Sequence, residues 1–186
     1  MRVSRAAAAE SRARIVAEAS RVLRARGVAG ASVAEVMQAA GMTHGGFYKH
    51  FDSKDALLAE ATASAFAEAA ARFDRRAARQ GVEAAAAAYS AEYLSPAHIA
   101  HPERGCPLAA FGAEAGRHPE ALSQAFAAGV EALVERLSGA GAPRDRAMRR
   151  LLILLGVVVA ARAVGAGALR QEILAAAKGV CDDEPG

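Results

Sequence analysis

The sequence predicts an all-α protein, and three observations lead there. Alanine dominates a 186-residue chain that has only six prolines, and runs of β-branched residues are few. Apolar residues recur at helical spacing in one segment after another. Glycine or proline punctuates the gaps between those segments, as residues that stop helices do. Hydrophobic residues make up 53% and charged residues 23%, which excludes a disordered or fibrous chain and leaves apolar mass for a substantial core.

The first helix is expected over about residues 8–26, with Ile15, Ala19, Val22 and Leu23 on its apolar face and Gly27 ending it. Ser32 then caps a short helix whose apolar positions are Val33, Val36, Met37 and Ala40. Gly41 offers a left-handed stop, and Met42 an apolar residue to pack the turn. Thr43 is placed to cap a second short helix, in which Phe47 and Phe51 share one face. His44, Gly45, Tyr48 and Lys49 are left on the outer faces. Such a helix, apolar behind and hydrogen-bonding in front, suits the DNA major groove.

A long helix begins at Asp52-Ser53 and runs to about Ala78, carrying Leu57, Leu58, Ala61, Ala65, Phe66, Ala69 and Phe73. Gly81 breaks the chain before an alanine-rich helix that reaches Leu94. Residues 95–105, with two prolines and a glycine, read as a loop. Cys106-Pro107 opens a further helix, and His118-Pro119 interrupts it. Leu122, Phe126, Val130, Leu133, Val134 and Leu137 define a helix over about 120–137. The segment from Arg144 to Val164 is apolar nearly all round, which predicts burial on more than one side. Gly165 and Gly167 precede a last helix over about 169–180, and residues 181–186 read as a frayed tail.

Charge is distributed unevenly. Residues 1–54 carry nine Lys/Arg against four Asp/Glu, and residues 55–186 fourteen against sixteen. The basic excess lies with the helix-turn-helix, where phosphates would need neutralising. Cys106 and Cys181 have no metal-ligand spacing and imply no disulfide framework. His98, His101 and His118 occupy a loop and a helix break without a cysteine or carboxylate at ligand spacing, so no metal and no cofactor are expected. No apolar signal segment is evident, and the apolar run 151–161 is too short to cross a bilayer. A cytoplasmic protein without membrane association is expected. No nucleophile triad, P-loop or zinc-ligand set is present, which argues against an enzyme.

Residues 10–60, and above all GMTHGGFYKHFDSKDALL, resemble the DNA-binding domain of the TetR/AcrR family of bacterial transcriptional repressors. The resemblance implies a DNA-binding unit over residues 1–54 and a helical effector-binding and dimerisation unit over 55–186. It also implies roles for residues that match. Tyr48 and His50 resemble phosphate-contacting residues, as does Lys54, while packing between helices is the alternative for Tyr48 and His50. Thr43, His44, Gly45 and Lys49 fall where the family reads base edges, and Ser32 and Gly46 complete the expected DNA-binding set. His44 departs from the longer basic side chain that many relatives carry there. Gly45 and Gly46 each weaken a helix by roughly 1 kcal/mol, which suits a backbone that approaches DNA closely. The arginines at 2, 5, 12 and 14 form either an arm reaching flanking phosphates or a solvated tail.

In the C-terminal unit, the last two helices of each subunit are expected to form a homodimer contact, which predicts a roughly palindromic operator. The segment RGCPLAAFGAE is similar to a Gly-Cys segment in one branch of the family, some of whose members respond to electrophiles or oxidants. Cys106 is therefore either a reactive sensor beside Arg104 or a small buried packing residue. Phe66, Phe73, Tyr89, Tyr93, Phe111 and Phe126 are candidates to line a pocket for a small, largely apolar effector. The reading that follows is a homodimeric repressor released from its operator by an effector or by modification. The alternative is a helical protein-interaction module without specific DNA binding.

Overall fold

The computed structural model describes residues 5–118, 120–139 and 141–182, and every regular element among them is helical. Helix α1 spans Arg5–Arg26 and starts earlier than the apolar pattern indicates. The alanines at positions 6–9, strong helix formers, extend it. Arg5, Arg12 and Arg14 thus lie on a helix rather than on a free arm or tail, and Arg2 falls outside the described residues. Arg12 bonds to Glu60 and lies over the Phe51 ring, 4.3 Å from its centroid.

Helix α2, Val33–Ala39, begins at Ser32, whose Oγ accepts the Glu35 N–H at 3.1 Å. It ends as expected: Gly41 has φ +72°, its N–H donates to the Gln38 carbonyl, and the Met42 N–H donates to that of Met37. The next segment, His44–Lys49, is a 3-10 helix and not the expected α-helix. Thr43 makes no side-chain cap bond; its carbonyl instead accepts the Gly46 N–H at 3.0 Å. Six residues with two consecutive glycines hold too few i→i+4 bonds to enforce α geometry.

Helix α3, Lys54–Gln80, is capped by Ser53 Oγ, which accepts the Ala56 N–H, and joins the two halves of the molecule. Its first turns bury Leu57, Leu58 and Ala61 against α1, and its remainder packs on α7, Glu120–Ser138. Close approach of α3 and α7 depends on Gly129, since a Cβ there would lie 2.2 Å from the Phe66 ring. Helix α4 is Val82–Tyr93, after the break at Gly81.

Residues 95–105 are not the open loop that their prolines suggest. Ser95 Oγ accepts the His98 N–H to start α5, Pro96–Ala100, and a 3-10 turn follows over Pro102–Arg104. Both prolines stand at first helical positions, where a missing N–H costs nothing. Helix α6 is Pro107–Phe111, with a 3-10 turn over Gly112–Arg117 after it. The final pair is α8, Arg144–Ala163, and α9, Ala168–Asp182. Helix α9 takes in Cys181 and Asp182, which the expected frayed tail over 181–186 had included; residues 183–186 lie outside the described residues.

Within one chain α8 is buried on one side only, through Ala147, Leu151, Leu154, Val158 and Ala161. Leu152 and Val159, on its other side, are 54% and 47% exposed, and Leu169 in α9 is exposed as well. No helix among the described residues is long and apolar enough to cross a membrane.

Candidate nucleic-acid interface and ligand cavity

Opposite faces of the 44–51 segment have opposite character. Phe47 and Phe51 are buried, their rings stacked with centroids 5.6 Å apart, and they fasten the segment to the α1–α2–α3 core. The next residue along from Phe47 points the other way: Tyr48 is 73% exposed, its ring edge-on to Phe47 at 5.2 Å. Thr43, His44, Gly45 and Lys49 are exposed beside it, while Gly46 and His50 are half-buried. A Cβ on Gly45 would meet nothing within 4 Å, so the fold itself does not demand glycine at that position. Ser32 is exposed but committed to capping α2, and Lys54 Nζ donates to the Val28 carbonyl at 3.4 Å.

The second site is a cavity of about 50 Å³ between α3, α4 and the 98–106 stretch. Phe73, Tyr89 and Tyr93 supply aromatic walls, and Cys106, 8% exposed, closes one side. Phe66, Phe111 and Phe126 do not line it. They form a separate packed cluster, with Phe126 edge-on to Phe66 at 5.8 Å and to Phe111 at 5.2 Å. Sequence spacing placed all six aromatics on inward faces but could not assign them to one side of the core or the other. The cavity is also more polar than expected, because Arg72, Arg76, Glu92, His98 and Arg104 take part in its lining.

His98 organises the cysteine end of this cavity. Its Nε2 accepts the Cys106 N–H at 3.2 Å and its Nδ1 lies 2.7 Å from the Tyr93 carbonyl. The two bonds together require the neutral Nδ1–H tautomer. Burial, with Arg162 nearby, lowers the His98 pKa and keeps it in that form. Tyr93 is 4% exposed and its hydroxyl has no hydrogen-bond partner. Burial first and the neighbouring Cys106 second push its phenol pKa well above the ordinary value.

Residues 15–61 match the family model described as bacterial regulatory proteins, tetR family. Over those residues the chain is similar to the TetR family of transcriptional regulators. Solved structures extend the likeness in fold to nearly the whole chain. E. coli NemR in its reduced form is 20% identical over 91% of this chain and 96% of its own, with a TM-score of 0.76. A TetR transcriptional regulator from Chloroflexus aurantiacus J-10-FL is 22% identical over 95% and 96%, with a TM-score of 0.75. A protein of unknown function from Rhodococcus sp. RHA1 is 26% identical over 91% and 92%, with a TM-score of 0.60. No curated protein matches the chain.

Several residues that shape the two sites escaped the sequence reading. Sequence spacing offers His98 only as a metal ligand and gives Arg24 and Arg162 no role. Both arginines interrupt otherwise apolar helix faces, Arg24 beside Leu23 and Arg162 beside Ala161. A lone charge on a buried stripe is the signal that could have found them.

Proposed function

We propose that the protein is a homodimeric repressor of the TetR family, with residues 1–54 reading DNA and residues 55–186 serving effector binding and dimerisation. The observation that carries this reading is the two-faced 44–51 segment, with buried Phe47 and Phe51 behind exposed Tyr48 and Lys49. Tyr48, His50 and Lys54 contact phosphates; Ser32, Gly45 and Gly46 bring backbone close to the duplex; Thr43, His44 and Lys49 face base edges. The exposed apolar side of α8, with α9, pairs with its symmetry mate. Two recognition segments about 34–36 Å apart then predict a roughly palindromic operator.

Selection of genomic fragments by the purified protein, followed by titration over a salt series, tests the reading. A defined site with a steep salt slope supports it, and failure to bind any duplex favours a protein-interaction module. Tyr48→Phe is expected to weaken binding to every sequence alike by about 1 kcal/mol, one lost phosphate bond. Lys49→Ala should alter which base is preferred as well as affinity. Comparing both variants on a panel of single-base operator mutants distinguishes the two roles.

Release is assigned to the cavity, in one of two ways. A cavity of about 50 Å³ is far smaller than the several hundred Å³ that enclose a drug-sized ligand. A non-covalent effector must therefore be small or must open the site. The size favours modification at Cys106, whose sulfur lies with the unpartnered Tyr93 hydroxyl in the same walls. Addition of the thiol to a quinone forms a C–S bond and leaves the thiol proton on the resulting hydroquinone. Such an adduct cannot fit without moving the 98–106 stretch. Operator affinity should then fall by about 5- to 150-fold, while the Cys106→Ser protein keeps its affinity in the presence of quinone. A Cys106→Ser protein that is still released normally would rule this route out.

A further inference from the structure

The cysteine-bearing stretch is held from two directions by arginines. From α8, Arg162 donates to the carbonyls of His98 at 2.7 Å, Ile99 at 3.3 Å and Ala109 at 3.3 Å. From α1, in the DNA-binding half, Arg24 donates through Nη1 to the Gly105 carbonyl at 3.2 Å and through Nε to the Ser20 carbonyl at 3.1 Å. Nearby, Glu114 Oε2 accepts the Val28 N–H at 3.0 Å, in the turn from α1 to α2. Gly27, at φ +71°, leaves room for that carboxylate, because a Cβ there would lie 2.3 Å from Glu114 Oε1.

Arg24 is 7% exposed, and its carboxylate neighbour Glu68 is half-exposed and 3.7 Å away. Packing does not call for a charge there, since an aliphatic side chain of similar volume generally stabilises as well or better. Burial accordingly pulls the guanidinium pKa down. The guanidinium does what no aliphatic group can: it fixes the backbone of Gly105 relative to α1.

We infer that Arg24 is a positioning residue that transmits movement of the Cys106 stretch to the DNA-reading unit. Gly105 has no slack on its other side. A Cβ added to it would lie 2.7 Å from His98 Nε2 and 3.2 Å from an Arg162 Nη2. Whatever displaces Cys106 therefore displaces the Gly105 carbonyl, and Arg24 passes that shift to α1 and to α2 packed on it. The inference deepens the proposal that the cavity is the effector site, but its test uses no effector.

Gly105→Ala serves as a built-in displacement of the stretch, and a double-mutant cycle with Arg24→Met reads the coupling. Affinity is measured by fluorescence anisotropy on the duplex recovered from the genomic selection. In the parent chain Gly105→Ala should weaken binding about tenfold. In the Arg24→Met background the same substitution should change affinity less than about threefold. Arg24→Lys, which keeps charge and stem but lacks the forked donors, should uncouple in the same way and replaces the methionine variant if circular dichroism shows that one unfolded. Equal losses in both backgrounds overturn the inference, as does an unchanged affinity on Gly105→Ala in the parent chain. A protein that shows the coupling yet ignores quinones would retain the inference and reject the Cys106 route.

Discussion

Phe47→Ala is expected to destabilise the protein by about 3–5 kcal/mol and to abolish operator binding. Phe47 is 1% exposed, stacks on Phe51 and supports Tyr48 edge-on. The 44–49 segment is a 3-10 helix with two glycines and little intrinsic stability, so this ring is its main anchor. Its removal leaves a cavity under the segment and frees it from the α1–α2–α3 core. The neighbouring variant Tyr48→Ala provides the contrast. It should leave the urea midpoint unchanged while weakening binding, because the side chain packs against little besides Phe47 and water. Urea denaturation and operator titration on the two variants separate the buried side of the segment from the exposed one. An unchanged midpoint for Phe47→Ala would contradict the packing described here.

The second large effect concerns assembly. Leu152→Glu combined with Val159→Glu should convert the protein to monomers at micromolar concentration and lower operator affinity with it. Both residues lie on the side of α8 that one chain leaves uncovered, while Leu151, Leu154 and Val158 are wholly buried in the subunit core. Losing an apolar side chain from an interface costs about 1.5–3 kcal/mol. Two-fold symmetry counts each loss twice, so the dissociation constant should rise more than about a hundredfold. The substitutions leave the subunit core intact, and the thermal transition of the monomer should remain cooperative. Sedimentation velocity that is the same for parent and variant would defeat the proposal that α8 pairs with its mate.

The reason α8 was legible only in part lies in its composition. Its sequence is apolar nearly all round, which predicts more than one buried face, but says nothing of which partners would cover them. A single chain covers one face of α8. The pocket aromatics illustrate a related limit. Phe73, Tyr89 and Tyr93 wall the cavity, whereas Phe66, Phe111 and Phe126 fill a packed cluster, although all six share inward positions on their helices. Helical periodicity gives the direction of a side chain relative to its own axis. Which neighbour it meets depends on how the helices cross.

Local chemistry was readable for the opposite reason. The Ser32 and Ser53 caps, the Gly41 stop and the Phe47–Phe51 face involve partners within about five residues, so the letters alone carry them. The failures nearby are instructive too: Thr43 does not cap, and residues 95–105 are structured. Consecutive glycines changed the type of helix over 44–49, whereas the prolines that suggest a loop over 95–105 instead open short helical turns.

What the sequence determined by itself was therefore the helical class, the helix-turn-helix and the outward display of Tyr48 and Lys49. Each follows from contacts made within one or two turns of chain. Tertiary structure alone decided that Arg24 meets Gly105 across 81 residues, that Glu114 meets Val28 across 86, and that Cys106 shares a small cavity with Tyr93. Those meetings depend on the packing of whole helices, a property of the folded core that no local spacing encodes.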